Sequence, residues 1–453
     1  MIGSERRDVR GEGLYEYVWL SDDSLQLEKK VLKQHWNNRQ RWSLYLRYSS
    51  PMASLVLTDS SQLTSHIQNL DCAVTVNSDL GDPQPLLLRP GGTKDGFGFK
   101  LPTPPSDVIN FNRGETVRIA CPGSFITVRG AGVTEAVATC VTGRTFTIEG
   151  FSYDFRNLVC SSYPWHTARN TGRICNSGRA SEIEIGFLVG TDFFRVLDVC
   201  FDNNQLNPLW TKFDLVGSIG GYQRSFPRPS WIRGAFYPRV SPDNQYLRAN
   251  QIATIGEILG SQALGERYVS RTTDFYLARG HLVAKADYVY GSQHRATFYY
   301  VNAAPQWQTF NGGNWERLES SVRNYASSRR FNLVVYTGTY GVTTLPNARG
   351  QQRELYLYDD ANGNHALPIP KVFWKVVYNP VTRAGAVFLG VNNPYLTTLT
   401  NDYLLCADVS NRISWLLWSP NNLTLGYSYV CEVNDFRRAV PTLPGFTVTS
   451  LLT

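Results

Sequence analysis

No run of this 453-residue chain reaches the length and apolarity of a membrane-crossing helix. None of its eight cysteines forms a CxxC pair and no histidine sits at zinc-finger spacing, which argues against a zinc site. The glycine-rich stretch Gly217-Ser218-Ile219-Gly220-Gly221 has neither GxGxxG spacing nor a Walker lysine, so it reads as a turn rather than a phosphate loop. The apolar h-region of a secretory signal is not seen near Met1. Charge is also thin. Only 18% of residues are charged, and the net +7 is spread along the chain, which suits a polyanionic partner without specifying one.

What is present is 42% apolar and 13% aromatic residues, a globular and strand-rich composition with room for two or three domains. Residues 1–60 read as a charged N-terminal extension. Within it, Ser24 to Trp36 can form an amphipathic helix, with Asp22 and Asp23 at its start and Lys29, Lys30 and Lys33 toward its end, as the helix dipole favours. Residues 61–204 read as a cysteine-rich antiparallel β domain. Its short β-rich runs are Cys72 to Val76, Thr116 to Ala120, Phe125 to Val128, Thr145 to Ile148 and Glu184 to Val189, divided by Gly, Pro, Asn and Asp. Six cysteines fall here, enough for three disulfides, which implies an oxidising compartment; fifteen pairings are open. The plainest role for this domain is a stabilising spacer. Residues 205–453 form the third region, with a helical pattern over 247–264 and strand-like runs after Arg330. The simplest partner for Cys406 is Cys431.

The chemistry concentrates between Phe275 and Arg330. Phe275, Tyr276 and Leu277 read as a strand that delivers Arg279, Gly280 and His281 at its end, and the aromatic run Ala296 to Val301 offers a second strand. After Phe310 the period changes: Trp315, Leu318, Val322 and Tyr325 recur at helical spacing. Asn311 stands where that helix begins, and Glu319 and Arg323 lie four residues apart along one side of it. This ββα unit suits phosphodiester hydrolysis at one hard metal. Magnesium keeps several waters and needs few protein ligands, a neutral imidazole can accept a proton from water, and arginines pair with phosphate oxygens. Each residue also has an ordinary reading on its own: a core histidine, a helix cap, a surface ion pair. It is their joint order and spacing that points to a site.

The motifs RGH, then Asn302 with Pro305-Gln306, then NxGxW and Leu318-Glu319, resemble the DNA/RNA non-specific endonuclease family, whose site is the ββα-metal (His-Me finger) motif; the variant here is most similar to its arthropod branch. The resemblance covers roughly Phe213 to Arg330. It implies an α+β fold, a ββα-metal nuclease domain with a central antiparallel sheet, here preceded by the disulfide-rich β domain. It implies His281 as general base, Asn311 as ligand of magnesium (with manganese as a substitute), and Glu319 orienting the waters around the metal. Arg279 and Arg323 would contact phosphate, with Asn302 in a supporting role. Arg228, followed by an aromatic in Pro227-Arg228-Pro229-Ser230-Trp231, is a transition-state arginine candidate, and Arg248 a weaker phosphate candidate. The implied substrate is double-stranded RNA, DNA or both, cut with little sequence preference; the implied location is extracellular. One departure stands out: many members carry aspartate where this chain has Ala278. That alanine supports the competing reading, a nucleic-acid-binding protein without catalysis.

Overall fold

The computed structural model describes residues 72–176, 178, 180–360 and 362–453, and before these only the backbone of the strands Ile2–Asp8, Leu14–Leu20, Lys29–Trp36, Arg39–Leu46 and Leu55–Leu57. The first half of the helix expected over Ser24 to Trp36 lies outside the described residues, and its second half is the strand Lys29–Trp36.

From residue 167 onward the chain builds one large sheet and a ββα unit set against it. The strands β1 (Thr167–Cys175), β2 (Ala180–Val189), β3 (Asp192–Asp202) and β4 (Asn207–Leu215) are followed by helix α1 (Arg248–Leu259). Then come β5 (Leu277–His281), β6 (Ala303–Trp307) and helix α2 (Glu316–Arg329). The chain closes with β7 (Leu333–Val342), β8 (Pro370–Asn379), β9 (Ala384–Val391) and β10 (Ser428–Cys431). The sheet order is β1-β2-β3-β4-β7-β8-β9-β10, antiparallel throughout, with Ser450–Leu451 adding to β9 in parallel. The fold is therefore α+β with a central antiparallel sheet. The division expected at 204/205 runs through this sheet, because β1 to β3 are hydrogen-bonded into it.

Strand β9 is buried at every position and β8 nearly so, as apolar runs covered on both faces should be. On one face Trp374, Val376, Leu389 and Tyr429 join the core with Phe436; on the other Phe373 meets Phe310 and Trp315 at the foot of α2. Each such fully buried large side chain contributes roughly 1.5–3 kcal/mol by leaving water.

Among residues 72–160 a smaller antiparallel sheet joins Leu86–Leu88, Thr116–Ala120, Glu135–Thr142, Thr145–Ile148 and Phe151–Asp154. The β-rich runs Thr116 to Ala120 and Thr145 to Ile148 are strands of this sheet, and Thr145–Ile148 buries every second residue. Every cysteine is bridged: Cys121–Cys160, Cys175–Cys200 and the expected Cys406–Cys431, with Cys72 and Cys140 also disulfide-bonded.

One expected element is elsewhere. The second strand of the ββα unit is Ala303–Trp307, not Ala296 to Val301. Phe298, Tyr299, Tyr300 and Val301 are almost wholly buried, and they fill the core from a helix end and a 3₁₀ turn. Their aromatic and branched side chains signal packing, which need not take the form of a strand.

Candidate functional site

Strand β5 ends at His281, whose partner across the ladder is Ala303 on β6. Gly280 lets the two strands close: a Cβ there would lie 2.5 Å from the Cβ of Gln306. The His281 ring packs between Trp231, with centroids 4.5 Å apart, and Phe298, at 4.8 Å. Its Nε2 is buried and has no hydrogen-bond partner among the described residues. Burial, with the positive charges of Arg228 and Lys285, pushes the imidazole down to about 3, so it is neutral near pH 7.

The segment after His281 is tied at three points. Buried Asn302 accepts from the Val283 amide (3.0 Å) and donates to the Val283 and Thr297 carbonyls (3.0 and 2.9 Å). Lys375, 1% exposed in β8, donates to the Leu282 carbonyl (3.3 Å) and to Thr337 Oγ1 (2.6 Å). Asp287 accepts from the Ala284 amide (3.2 Å) and from Arg323 Nη1 on α2 (2.9 Å). Sheet, hairpin and helix thus fix the backbone that carries the imidazole.

Asn311 sits at the break before α2. A single turn, Gln308–Phe310, leads into a wide turn, Asn311–Trp315, in which Gly313 leaves helical geometry (φ −102°, ψ −118°). Asn311 itself is helical (φ −57°, ψ −48°), so it lacks the extended backbone of an N-cap. Its Nδ2 donates to Gln308 Oε1 (3.0 Å), which orients the amide. One turn into α2, Glu319 is pushed up to about 7 by burial and by the Asp287 charge, against the pull of Lys375 and Arg323. Burial likewise pushes the Lys375 ammonium down, while Asp287 and Glu319 pull it back up.

Arg228, Arg279, His281, Asn311, Glu319 and Arg323 all line one cavity of about 630 Å³, and Lys285 and Ala278 line it too. Arg228 is exposed at its rim. Arg279 is braced by a chain in which its Nε donates to the Tyr300 hydroxyl (2.8 Å), which in turn donates to Asp243 (2.6 Å). Arg323 gives Nη1 to Asp287 and Nη2 to Ser320 Oγ (2.9 Å), so it holds the His281 segment as well as facing the cavity. Asn302 lies behind the cavity wall rather than in it. Arg248 is outside: Nη1 donates to the Ser270 and Arg271 carbonyls (3.3 and 2.7 Å) and its guanidinium covers Tyr276. Gln308, Asp287 and Lys375 were not picked out by the sequence. The signal for Lys375 was present, a charge in the middle of an apolar strand.

Among the described residues no cluster of three or more His, Cys, Asp or Glu could hold a metal ion, and all cysteines are bridged. Oxygens lining the cavity could hold one, Asn311 Oδ1 and the Glu319 carboxylate among them. That set fits a hard, largely hydrated cation such as magnesium or manganese, and not a thiolate- or imidazole-loving metal.

The chain is similar to known insect proteins. The chain is 28% identical over 376 residues to a salivary endonuclease of Lutzomyia longipalpis, covering 82% of this chain and 83% of that protein. It is 22% identical to the salivary protein Tsal1 of Glossina morsitans morsitans, covering 82% and 92%. A salivary endonuclease of Culex quinquefasciatus is 28% identical over 55% of this chain and 62% of its own. A solved structure of the EndoG/EndoGI complex aligns with a TM-score of 0.33 and 17% identity over 54% of this chain and 81% of that one. The profile of the DNA/RNA non-specific endonuclease family matches residues 183–436, more than half of the sequence, and the chain belongs to that family.

Proposed function

We propose that this protein is a magnesium-dependent endonuclease that hydrolyses phosphodiester bonds in DNA and double-stranded RNA with little sequence preference, leaving 5′-phosphate ends. The observation that supports this best is the convergence of six residues, from Arg228 to Arg323, on one cavity, one of them a neutral histidine. Arg228, Arg279 and Lys285 bind the phosphodiester oxygens of the substrate. The unprotonated nitrogen of His281 accepts the proton of the attacking water, a contribution of about 10² to 10⁴ in rate. Asn311 would hold the cation directly and Glu319 through its waters; when bound, the cation would stabilise charge on the phosphoryl and leaving oxygens. Asn302, Lys375 and Asp287 keep His281 in register. None of these groups is assigned to a base, so sequence is read weakly. We infer an extracellular enzyme, since bridged cysteines persist in oxidising compartments and the relatives are salivary proteins.

Purified protein incubated with plasmid or double-stranded RNA should degrade both with magnesium and neither with EDTA. Ala278, which lines the cavity where many family members carry aspartate, favours the second reading, a binder without catalysis. Intact substrate together with a salt-sensitive gel shift would establish that reading instead.

The phosphate-binding arginines make a separate prediction. Arg228 is exposed, so Arg228→Ala removes charge without opening the core. Binding in EDTA should weaken similarly on all sequences. The slope of log K against log salt should flatten by about 0.9, because the variant neutralises one phosphate fewer. A parental slope would take Arg228 out of the substrate site.

A further inference from the structure

A second cavity, of about 680 Å³, lies behind the catalytic one. Adjacent residues face the two: Trp231 and His294 line the first, while Ile232 and Arg295 line the second. The wall between them is therefore one residue thick. It is held in place by hydrogen bonds from the Ile232 amide to the Phe298 carbonyl (2.8 Å) and from the Tyr300 amide back to Ile232 (3.0 Å).

The mouth of this cavity carries Trp165, which is 69% exposed. So large an indole is usually mostly buried, and this one is seated against a neighbouring loop. Its amide donates to the Pro122 carbonyl (2.8 Å), and one part of its ring lies on the backbone of Gly123. A Cβ at Gly123, where φ is +71°, would sit 2.2 Å from Trp165 Cδ2, so only glycine allows this seat. The Cys121–Cys160 disulfide and the bond from Ser124 Oγ to the Ser162 carbonyl (3.0 Å) clamp the two loops together. The indole is thus a platform with an open face. Beside it the guanidinium of Arg295 lies 4.3 Å from the centroid of the Tyr163 ring, and its Nε has no hydrogen-bond partner among the described residues. Among the described residues no carboxylate lines the cavity.

We propose that this cavity is a subsite for an unpaired nucleobase of the strand being cut, stacked on Trp165 with Arg295 on the adjoining phosphodiester. The chemistry fits: a planar ring meets an open aromatic face, an anion meets a cation, and the subsite adjoins the catalytic cavity across a wall one residue thick. Stacking of this kind tolerates any base, in keeping with a site that does not read sequence. The proposal rests on the nuclease reading for the direction from which the strand arrives.

The test is equilibrium binding of the full chain, in EDTA, to a short fluorescein-labelled oligothymidylate and to a blunt duplex of the same length. Trp165→Ala should weaken the single strand about tenfold and the duplex less than about twofold, and Trp165→Phe should recover most of the loss. Parental affinity of Trp165→Ala for the single strand overturns the subsite, as does an equal loss on both probes. A Phe variant no better than Ala overturns it too, because the loss would then come from a disturbed loop. Plasmid cleavage by the parent separates the two ideas. A parent that cleaves beside an unaffected Trp165→Ala ends the subsite alone. A parent that never cleaves, with the selective single-strand loss intact, ends the nuclease reading alone.

Discussion

His281→Ala should lower turnover on plasmid by about 10³, within the range of about 10² to 10⁴ that a positioned base contributes, while substrate affinity in EDTA stays within about twofold. The two effects separate because the imidazole is neither a metal donor nor a phosphate contact in this arrangement; it is packed between Trp231 and Phe298 beside them. His281→Gln keeps more of that packing and should be almost as slow, which guards against reading a packing defect as a catalytic one. The pH profile carries a sharper signature. Burial and the flanking cations hold the group down to about 3, so in the free protein the proton leaves far below the ordinary histidine value of about 6.5. The base is therefore ready across the whole range above that. The acid limb of kcat/KM that belongs to His281 should lie well below pH 6 at saturating magnesium. The limb of kcat should lie higher, since bound phosphate favours the imidazolium. Near-parental cleavage by both variants would end the mechanism.

How much of this was legible in the sequence depends on whether a signal was local. Helix α2 was, because Leu318, Val322 and Tyr325 mark a stripe that the structure buries. The strand end at His281 was as well, and six of the eight named site residues do meet in one cavity. Arg248 was not: an arginine near a helix start looks the same whether it faces phosphate or, as here, two carbonyls of its own chain. Arg323 was half legible, since Asp287 engages it from thirty-six residues away in the chain. Non-local ties of that sort, with Lys375 reaching the Leu282 carbonyl from a distant strand, leave no periodic trace. The sheet was the hardest part. Strands β1 to β3 look like the β-rich runs before them, and only pairing with β4 and β7 reveals which sheet they join.

Asn311→Ala should raise the magnesium concentration for half-maximal activity by tenfold or more and lower the plateau as well, because it removes the amide oxygen proposed to hold the cation. Gln308→Ala should raise the requirement by about tenfold, since outer partners that orient a ligand commonly carry 10- to 100-fold of affinity. The hydrogen bond from Asn311 Nδ2 to Gln308 Oε1 is the reason to expect the two to move together. Glu319 adds a pH dependence of its own. Its carboxyl is pushed up to about 7, so below that pH a cation must displace a proton to bind, and above it no proton stands in the way. The magnesium requirement should therefore climb as pH falls below 7 and level off above it. Glu319→Gln has no such proton to lose, so its requirement, although higher, should stay nearly flat with pH. The measurement is activity against magnesium concentration at several pH values for the parent and the three variants. A parental requirement in Asn311→Ala would return that residue to turn geometry before α2, and the cation would have to be held by other groups.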